Sequence, residues 1–95
     1  MVKVISIDHI ELYKITCSLN NGSKRVVDVK PLIQNHLHLG GITELLKEDR
    51  FLSAEIGEMG EVLWKNIIRS AGNELWDYDI SPEFIFYEGR KLGGS

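Results

Sequence analysis

Apolar and polar residues alternate along the first third of the chain, a pattern typical of half-buried β-strands. From Tyr13 to Leu19 every second residue is apolar, and alternate side chains of a strand point to the same face. A first strand is predicted over 2–7, and a run rich in β-branched residues predicts a third over 24–29. Together the three segments predict an antiparallel meander.

The segment 20–22, Asn-Asn-Gly, joins the second and third predicted strands. Asn and Gly tolerate the positive φ that tight turns require. A two-residue loop would set Ile15 opposite Asp28, whereas a three-residue loop sets Ile15 opposite Val27 and keeps apolar residues together. We therefore predict the three-residue loop, with Gly22 in the left-handed conformation.

The rest of the chain predicts short helices between further strands. Pro31 lacks an amide hydrogen, so the third strand should end near it, and 31–41 is predicted to be a connection. Apolar residues at helical spacing predict a short helix over 42–48. Ser81 is a typical first residue for a last helix, which Gly89 should end. Strand patterns return in four segments: 52–56, 62–64, 67–69 (a continuation of 62–64 or a separate strand) and 75–78.

These elements predict a single α+β domain, with a mostly antiparallel β-sheet packed against one or two short helices. The 95 residues are too few to build two cores. We assign residues 1–90 to this domain and residues 91–95 to a flexible C-terminal tail. The Gly-Gly-Ser that closes the tail is typical of a sequence added during cloning.

The net charge of −3 gives no support to direct nucleic-acid binding. Residues 1–43 carry five Lys or Arg and three Asp or Glu, whereas residues 44–95 carry six and eleven. The acidic second half would repel phosphates and would favour a basic protein partner. A solvated surface is the simpler interpretation of the same charges.

The single cysteine, Cys17, excludes an intrachain disulfide and fits a reducing cytoplasm. The first apolar stretch is too short for a signal peptide. No apolar run approaches the roughly 20 residues of a membrane helix. We therefore expect a cytoplasmic protein that does not bind a membrane.

Several short motifs follow one another in a fixed order. They are a strand ending in Leu19, the Asn-Asn-Gly turn, the run 27–33, a short helix over 41–46, Phe51, then Gly60, Val62 and Trp64, and the acidic-apolar segment 79–87. This order resembles a family of small bacterial domains of unknown function, the one numbered 2442, over roughly residues 3–88. The chain departs from the family after Trp64, where about ten extra residues lead to Tyr78.

The resemblance implies an α+β fold without enzymatic activity or catalytic residues. It also implies a role as the antitoxin-like or regulatory half of a two-gene module. Some members are fused to a helix-turn-helix domain, for which this chain has no room.

Four residues are candidates for metal binding or catalysis. His36 and His38 would share a face of an extended loop, but zinc needs a third protein ligand, and the other histidine and the cysteine stand at no ligand spacing. Asp77 and Asp79 would share a face of a strand, where two carboxylates could hold Mg²⁺ or act as acid and base. These residues support the alternative hypothesis of a small enzyme or metal-binding protein. No catalytic or cofactor motif occurs, so we expect no catalytic, cofactor or metal site.

Aromatic residues concentrate in the last third of the chain, and such residues dominate both binding hot spots and small cores. We place Trp64 and Phe84 in the core and leave the positions of Trp76 and Phe86 open. The favoured hypothesis is a non-catalytic protein-interaction domain, with a homodimer through an exposed edge strand as a further option. The predicted partner-binding residues are Trp76, Asp77, Tyr78, Asp79 and Phe86.

Overall fold

The structure, a computed structural model, describes residues 1–92. It has the α+β class that the sequence pattern predicted, with two antiparallel sheets and short helices. The strands are β1 Val4–Glu11, β2 Lys14–Leu19, β3 Lys24–Asp28, β4 Glu55–Ile56, β5 Val62–Arg69, β6 Leu75–Ile80 and β7 Arg90–Lys91. The helices are α1 Lys30–Asn35, a 3-10 helix Ile42–Leu46, α2 Glu48–Phe51 and α3 Pro82–Glu88.

The hairpin between β2 and β3 has the predicted register. Ile15 lies opposite Val27, and the amide of Leu19 donates to the carbonyl of Ser23 at 2.9 Å, which leaves three residues in the loop. Gly22 has a φ of 87°. The matching of apolar residues across the two strands is therefore sufficient to select the longer loop.

The first sheet has the order β1-β2-β3-β7. β1 begins and ends later than the predicted strand 2–7, and two register shifts interrupt its pairing with β2. Lys91 was expected in the flexible tail, but it pairs with Arg25 and extends the sheet beyond β3. The rest of the predicted tail, residues 93–95, lies outside the described part of the chain.

The side chain of Arg25 attaches the end of the chain to this sheet. It is 5% exposed, and its Nε donates to the carbonyl of Phe86 at 3.1 Å. Its guanidinium carbon lies 4.8 Å from the centroid of the Phe86 ring. A buried guanidinium needs such partners, because an unsatisfied buried charge is costly.

The second sheet has the order β4-β5-β6. The segment 67–69 continues the strand that begins at Val62, and a register shift between Trp64 and Ile68 marks a bulge. β4 is shorter than the predicted strand 52–56, because Leu52 caps α2 instead of starting a strand. The two sheets meet where the amide of Val4 donates to the carbonyl of Gly60 at 3.0 Å.

Two helical segments differ from prediction. The predicted connection 31–41 begins with α1, in which Pro31 stands in the first turn; this position suits proline because the first amides of a helix have no partner within it. The predicted helix 42–48 is a 3-10 helix followed by α2. The last helix agrees with prediction, since the Ser81 hydroxyl accepts from the amide of Phe84 at 3.1 Å and the helix ends at Gly89.

The core lies between the sheets and the helices, and Trp64 is its largest fully buried side chain. The indole Nε1 of Trp64 donates to the carbonyl of Phe51 at 2.8 Å, and its ring lies 5.6 Å from the Phe51 ring and 6.0 Å from the Tyr78 ring. Trp64 is fully buried, as predicted, and Phe84 is partly buried against the same core.

Cys17 is fully buried on β2. Burial, with a smaller contribution from the carboxylate of Asp8, raises the pKa of the Cys17 thiol to about 12. Because the thiolate is the reactive form, we expect iodoacetamide to modify Cys17 at pH 8 only after urea unfolds the chain. Mass spectrometry of timed samples measures this, with Ser53→Cys as a control whose added thiol is exposed and reacts in the folded chain. Fast labelling of Cys17 in the folded chain would contradict the prediction.

Candidate functional site

β6 is an outer strand of its sheet and pairs with β5 alone. In an antiparallel pair, residues that exchange both backbone hydrogen bonds alternate with residues whose N–H and C=O point away. The amide of Arg69 donates to the carbonyl of Gly40 at 2.8 Å, on the side away from β6. Its partner on β6, Leu75, therefore points its own N–H and C=O towards the open edge.

The other end of β6 has the same arrangement. The amide of Gly57 donates to the carbonyl of Glu61 at 2.8 Å, so the backbone of Glu61 faces β4. By alternation, the backbone N–H and C=O of Leu63, two residues on, also face β4. Its partner on β6, Asp79, therefore directs its own N–H and C=O outwards. Asp77 lies midway between Leu75 and Asp79, and by the same alternation its backbone N–H and C=O point outwards. The edge of β6 thus offers backbone donors and acceptors at every second residue.

Two apolar side chains at the start of β6 are exposed. Leu75 is 49% exposed and Trp76 is 58% exposed. They lie opposite Arg69 and Ile68 at the far end of β5. The residues between Trp64 and Tyr78, where the chain departs from the resembled family, form this end of the β5–β6 hairpin, including its bulge and its turn. Of the predicted partner-binding residues, Trp76 is the large apolar residue that the structure places at the surface.

The bulge in β5 is held from both sides. Asn66 has a φ of 57°, and its amide donates to Oδ1 of Asp77 at 3.1 Å. Nη2 of Arg50 donates to the carbonyls of Lys65 and Asn66 at 3.2 and 3.3 Å. Asp77 therefore fixes the backbone of the neighbouring strand, in addition to standing at the predicted partner-binding surface.

Two clefts adjoin the end of β6, and Asp79 and Ser81 line both of them. The smaller cleft has a volume of about 270 Å³ and brings Asp79 together with the carboxylates of Glu61 and Glu83, beside two methionines and a proline. The larger cleft has a volume of about 520 Å³, and its lining combines Leu32 and Phe84 with polar side chains at the end of α1. Three carboxylates thus gather at the smaller cleft.

Tyr78 and His36 connect β6 with the end of α1. Nδ1 of His36 lies 3.0 Å from the hydroxyl of Tyr78, and both residues line the larger cleft. Burial, reinforced by the carboxylate of Asp79, raises the pKa of Tyr78 above its ordinary value, so the hydroxyl keeps its proton at neutral pH. Tyr78 is 8% exposed and belongs to the core, which makes it a weak contributor to an outer binding surface.

The two candidate histidines are neighbours, but neither is joined by further ligands in the described residues. The ring centroids of His36 and His38 lie 6.0 Å apart in an edge-on contact, and His36 also shares a hydrogen bond with Tyr78. Within residues 1–92 no group of three His, Cys, Asp or Glu side chains could hold a metal ion. Asp77 and Asp79 do share a face of β6, as predicted, but Asp77 accepts the amide of Asn66.

Phe86, the remaining predicted partner-binding residue, lies on α3 and not with the residues of β6. It is partly buried, and its ring contacts Arg25 and Tyr87. The structure therefore places it on a different element from Trp76 and Asp79. There its ring packs on the guanidinium of Arg25, a residue of β3.

Sequence reasoning missed the pairing of His36 with Tyr78 and the exposure of Leu75. The sequence predicts His36 in a loop, because Pro31 is typical of a connection as well as of the first turn of a helix, and no spacing links this histidine to a residue so far along the chain. Leu75 carried a detectable signal, since an apolar residue directly beside Trp76 breaks the alternation that a half-buried strand requires.

No helix among residues 1–92 combines the length and the apolar character needed to cross a membrane. Comparison of the chain with protein-family models, with curated proteins and with solved structures finds no match. The resemblance to the bacterial family numbered 2442 therefore stays a prediction.

Proposed function

We propose that this chain is a small non-catalytic domain that binds a basic protein partner in the cytoplasm through β6. The observation that carries the proposal is the exposure of Leu75 and Trp76 on the outer strand of a sheet. Exposed aromatic residues beside open backbone groups are the usual anchors of protein interfaces. A scattered exposed leucine needs no explanation, but here two adjacent large apolar side chains stand on an unpaired edge.

The charge of the surface supports a basic partner. The carboxylate of Asp79 makes no hydrogen bond or ion pair within the described chain, and it shares a cleft with Glu61 and Glu83. Complementary potentials speed the encounter of partners and suppress wrong ones. If the resemblance to the two-gene modules holds, the domain is the antitoxin-like or regulatory half, and the partner is the product of the neighbouring gene.

The hypothesis of an enzyme receives less support from the same residues. Asp77 holds the bulge through Asn66, and His36 is engaged with Tyr78. Both side chains therefore have a structural contact that explains their positions. We retain the non-catalytic interpretation for that reason.

The proposal is tested by capture of partners from lysate of the native host, with surface variants that change one feature each. A captured protein should bind the parent chain, and Trp76→Ala should weaken that binding by about 2 kcal/mol or more, because it removes an anchor. Tyr87→Ala is the matched control, since Tyr87 is an aromatic residue that is 76% exposed on a different element. Circular dichroism checks that each variant is folded.

Three outcomes would overturn the proposal. One is that the parent chain captures no protein from the lysate, or captures only proteins that the Trp76→Ala variant binds equally well. Another is equal loss of binding in Trp76→Ala and Tyr87→Ala, which would indicate a non-specific contact. The third is a substrate turned over by the isolated domain, with loss of turnover in Asp79→Asn.

A further inference from the structure

The two sides of β6 differ in a way that specifies what kind of chain can lie along it. Residues 75, 77 and 79 point their side chains to one face, and residues 76, 78 and 80 point theirs to the other. The first face carries Leu75, Asp77 and Asp79, all of them exposed, and Asp79 shares the smaller cleft with Glu61 and Glu83. The second face carries the exposed Trp76 and the buried Tyr78 and Ile80.

From this arrangement we infer that the partner adds an antiparallel strand to β6, with basic residues at alternate positions and apolar residues between them. This inference rests on the proposed function. A strand that pairs with the outward backbone groups at 75, 77 and 79 places one residue directly opposite each of them, with side chains on the same face. The residues opposite Asp77 and Asp79 are therefore two apart in the partner. The one opposite Asp79 meets a carboxylate with no other hydrogen bond in the described chain, whereas the carboxylate of Asp77 also accepts the amide of Asn66 on the side of β5.

The residues between them face the other side of the sheet. The partner residue opposite Tyr78 lies on the face where Tyr78 and Ile80 are buried, and Leu32 and Phe84 line the cleft beside them, so an apolar side chain suits it. The residue opposite Trp76 packs against an indole that is 58% exposed. An aromatic beside a β-branched residue is a favourable cross-strand pair.

A second copy of this chain fits the same edge poorly. A homodimer through β6 would have a two-fold axis perpendicular to the sheet, which pairs residues whose side chains lie on the same face. Asp77 would therefore lie opposite an odd-numbered residue of the other β6. The two registers that pair most of β6 set Asp77 opposite its own copy or opposite Asp79 of the second copy. Like charges directly opposite are destabilising, and this favours a basic strand over a second copy of β6.

The test uses the whole chain, labelled with nitrogen-15, and a short synthetic peptide, Thr-Lys-Val-Lys-Val-Leu-Thr. In the antiparallel register its two lysines lie opposite Asp79 and Asp77, and its leucine lies opposite Leu75. Titration followed by nuclear magnetic resonance should shift the amides of residues 75–80, and the amides of Leu75, Asp77 and Asp79 should become protected from exchange. Added salt should weaken the binding, because exposed charge pairs are screened.

Two peptide controls separate strand addition from attraction by charge. Thr-Lys-Lys-Val-Val-Leu-Thr has the same composition, but its lysines fall on opposite faces, and we expect about tenfold weaker binding. Methylation of the backbone nitrogens of the two lysine residues removes N–H donors that point at β6, so it should abolish binding. Methylation of the backbone nitrogen of the first valine removes a donor that points away from β6, so it should preserve binding.

Variants of the domain complete the test. Asp79→Lys should weaken binding of the first peptide about tenfold or more, since it replaces attraction by repulsion. Glu88→Lys makes the same charge change on α3, on an exposed residue away from β6, and should leave the affinity unchanged. Asp77 is left intact in this comparison because it also holds the bulge.

The outcomes distinguish this inference from the proposed function. Equal binding of the two lysine peptides, or equal effects of the two methylations, would refute strand addition and leave the interaction domain standing. Absence of peptide binding would refute the inference as well. Failure of the capture experiment with Trp76→Ala would instead refute the proposed function. A dimer that survives Asp79→Lys and shows protected β6 amides without peptide would overturn the argument against a second copy.

Discussion

Trp64→Ala should destabilise the fold by about 3–5 kcal/mol, which is a large part of the stability of a domain of this size. The indole is fully buried, and it fills the space between the rings of Phe51 and Tyr78. Its removal leaves a cavity and also leaves the buried carbonyl of Phe51 without the indole donor. Urea denaturation followed by circular dichroism measures the loss.

Two tryptophan variants serve as controls for this effect. Trp64→Phe keeps a ring in the core but loses the bond to Phe51, so it should cost less than Trp64→Ala. Trp76→Ala removes the same side chain from an exposed position and should change the free energy of unfolding by about 0.5 kcal/mol or less. Equal stability of Trp64→Ala and Trp76→Ala would show that the core is not organised around Trp64.

Gly41→Ala should destabilise the fold by about 2–5 kcal/mol, from two costs that add. Gly41 has a φ of 90°, which side chains other than glycine rarely adopt. In addition, a Cβ atom there would lie 2.1 Å from the carbonyl oxygen of Ile67. The segment cannot easily move away, because the amide of Arg69 is bonded to the carbonyl of Gly40.

Gly22→Ala is a matched control for the steric clash of the added Cβ atom. Gly22 has a similar φ of 87°, but no other atom lies within 4 Å of the place that a Cβ would occupy. This variant should therefore lose only the conformational part, about 1–2 kcal/mol. Thermal and urea unfolding of both variants would measure the difference, and similar losses would mean that the approach of Gly41 to β5 is not tight.

The hairpin of β2 and β3 shows what the sequence could predict in full. Strict alternation from Tyr13 to Leu19 fixed which residues face the core, and an Asn-Asn-Gly turn limited the loop to two lengths. With both constraints, one register kept Ile15 opposite Val27, as observed. Local pattern and turn chemistry agreed here, so the prediction needed no information from the rest of the chain.

The helices after β3 show where this reasoning fails. Pro31 predicts the start of a connection, but proline is equally suited to the first turn of a helix, and α1 begins at Lys30. The apolar spacing of 42–48 correctly indicated a buried face, on which Ile42 and Leu45 are buried. It could not indicate the break into a 3-10 helix and α2, because short helices take their geometry from the elements they pack against.

The candidate site was only partly predictable for a related reason. The sequence identified Trp76 and Asp79 as members of one acidic, aromatic segment, and the structure places them on one strand. It could not separate Phe86 from that group, because the side to which a helix packs depends on long-range contacts such as the one with Arg25. It also could not show that β6 is an outer strand, since strand order follows from tertiary packing.

The pairing of β7 with β3 has a consequence for synthesis of the protein. The β1–β3 meander consists of neighbouring segments, so it can form early, but within residues 1–92 the outer edge of β3 is covered by the segment 90–92 from the other end of the chain. Until residues 86–91 emerge from the ribosome, Arg25 also lacks the carbonyl and the ring of Phe86. Contacts between distant segments form late, and exposed strand edges promote aggregation. The nascent chain therefore passes through a stage in which the edge of β3 is open to pairing with other chains.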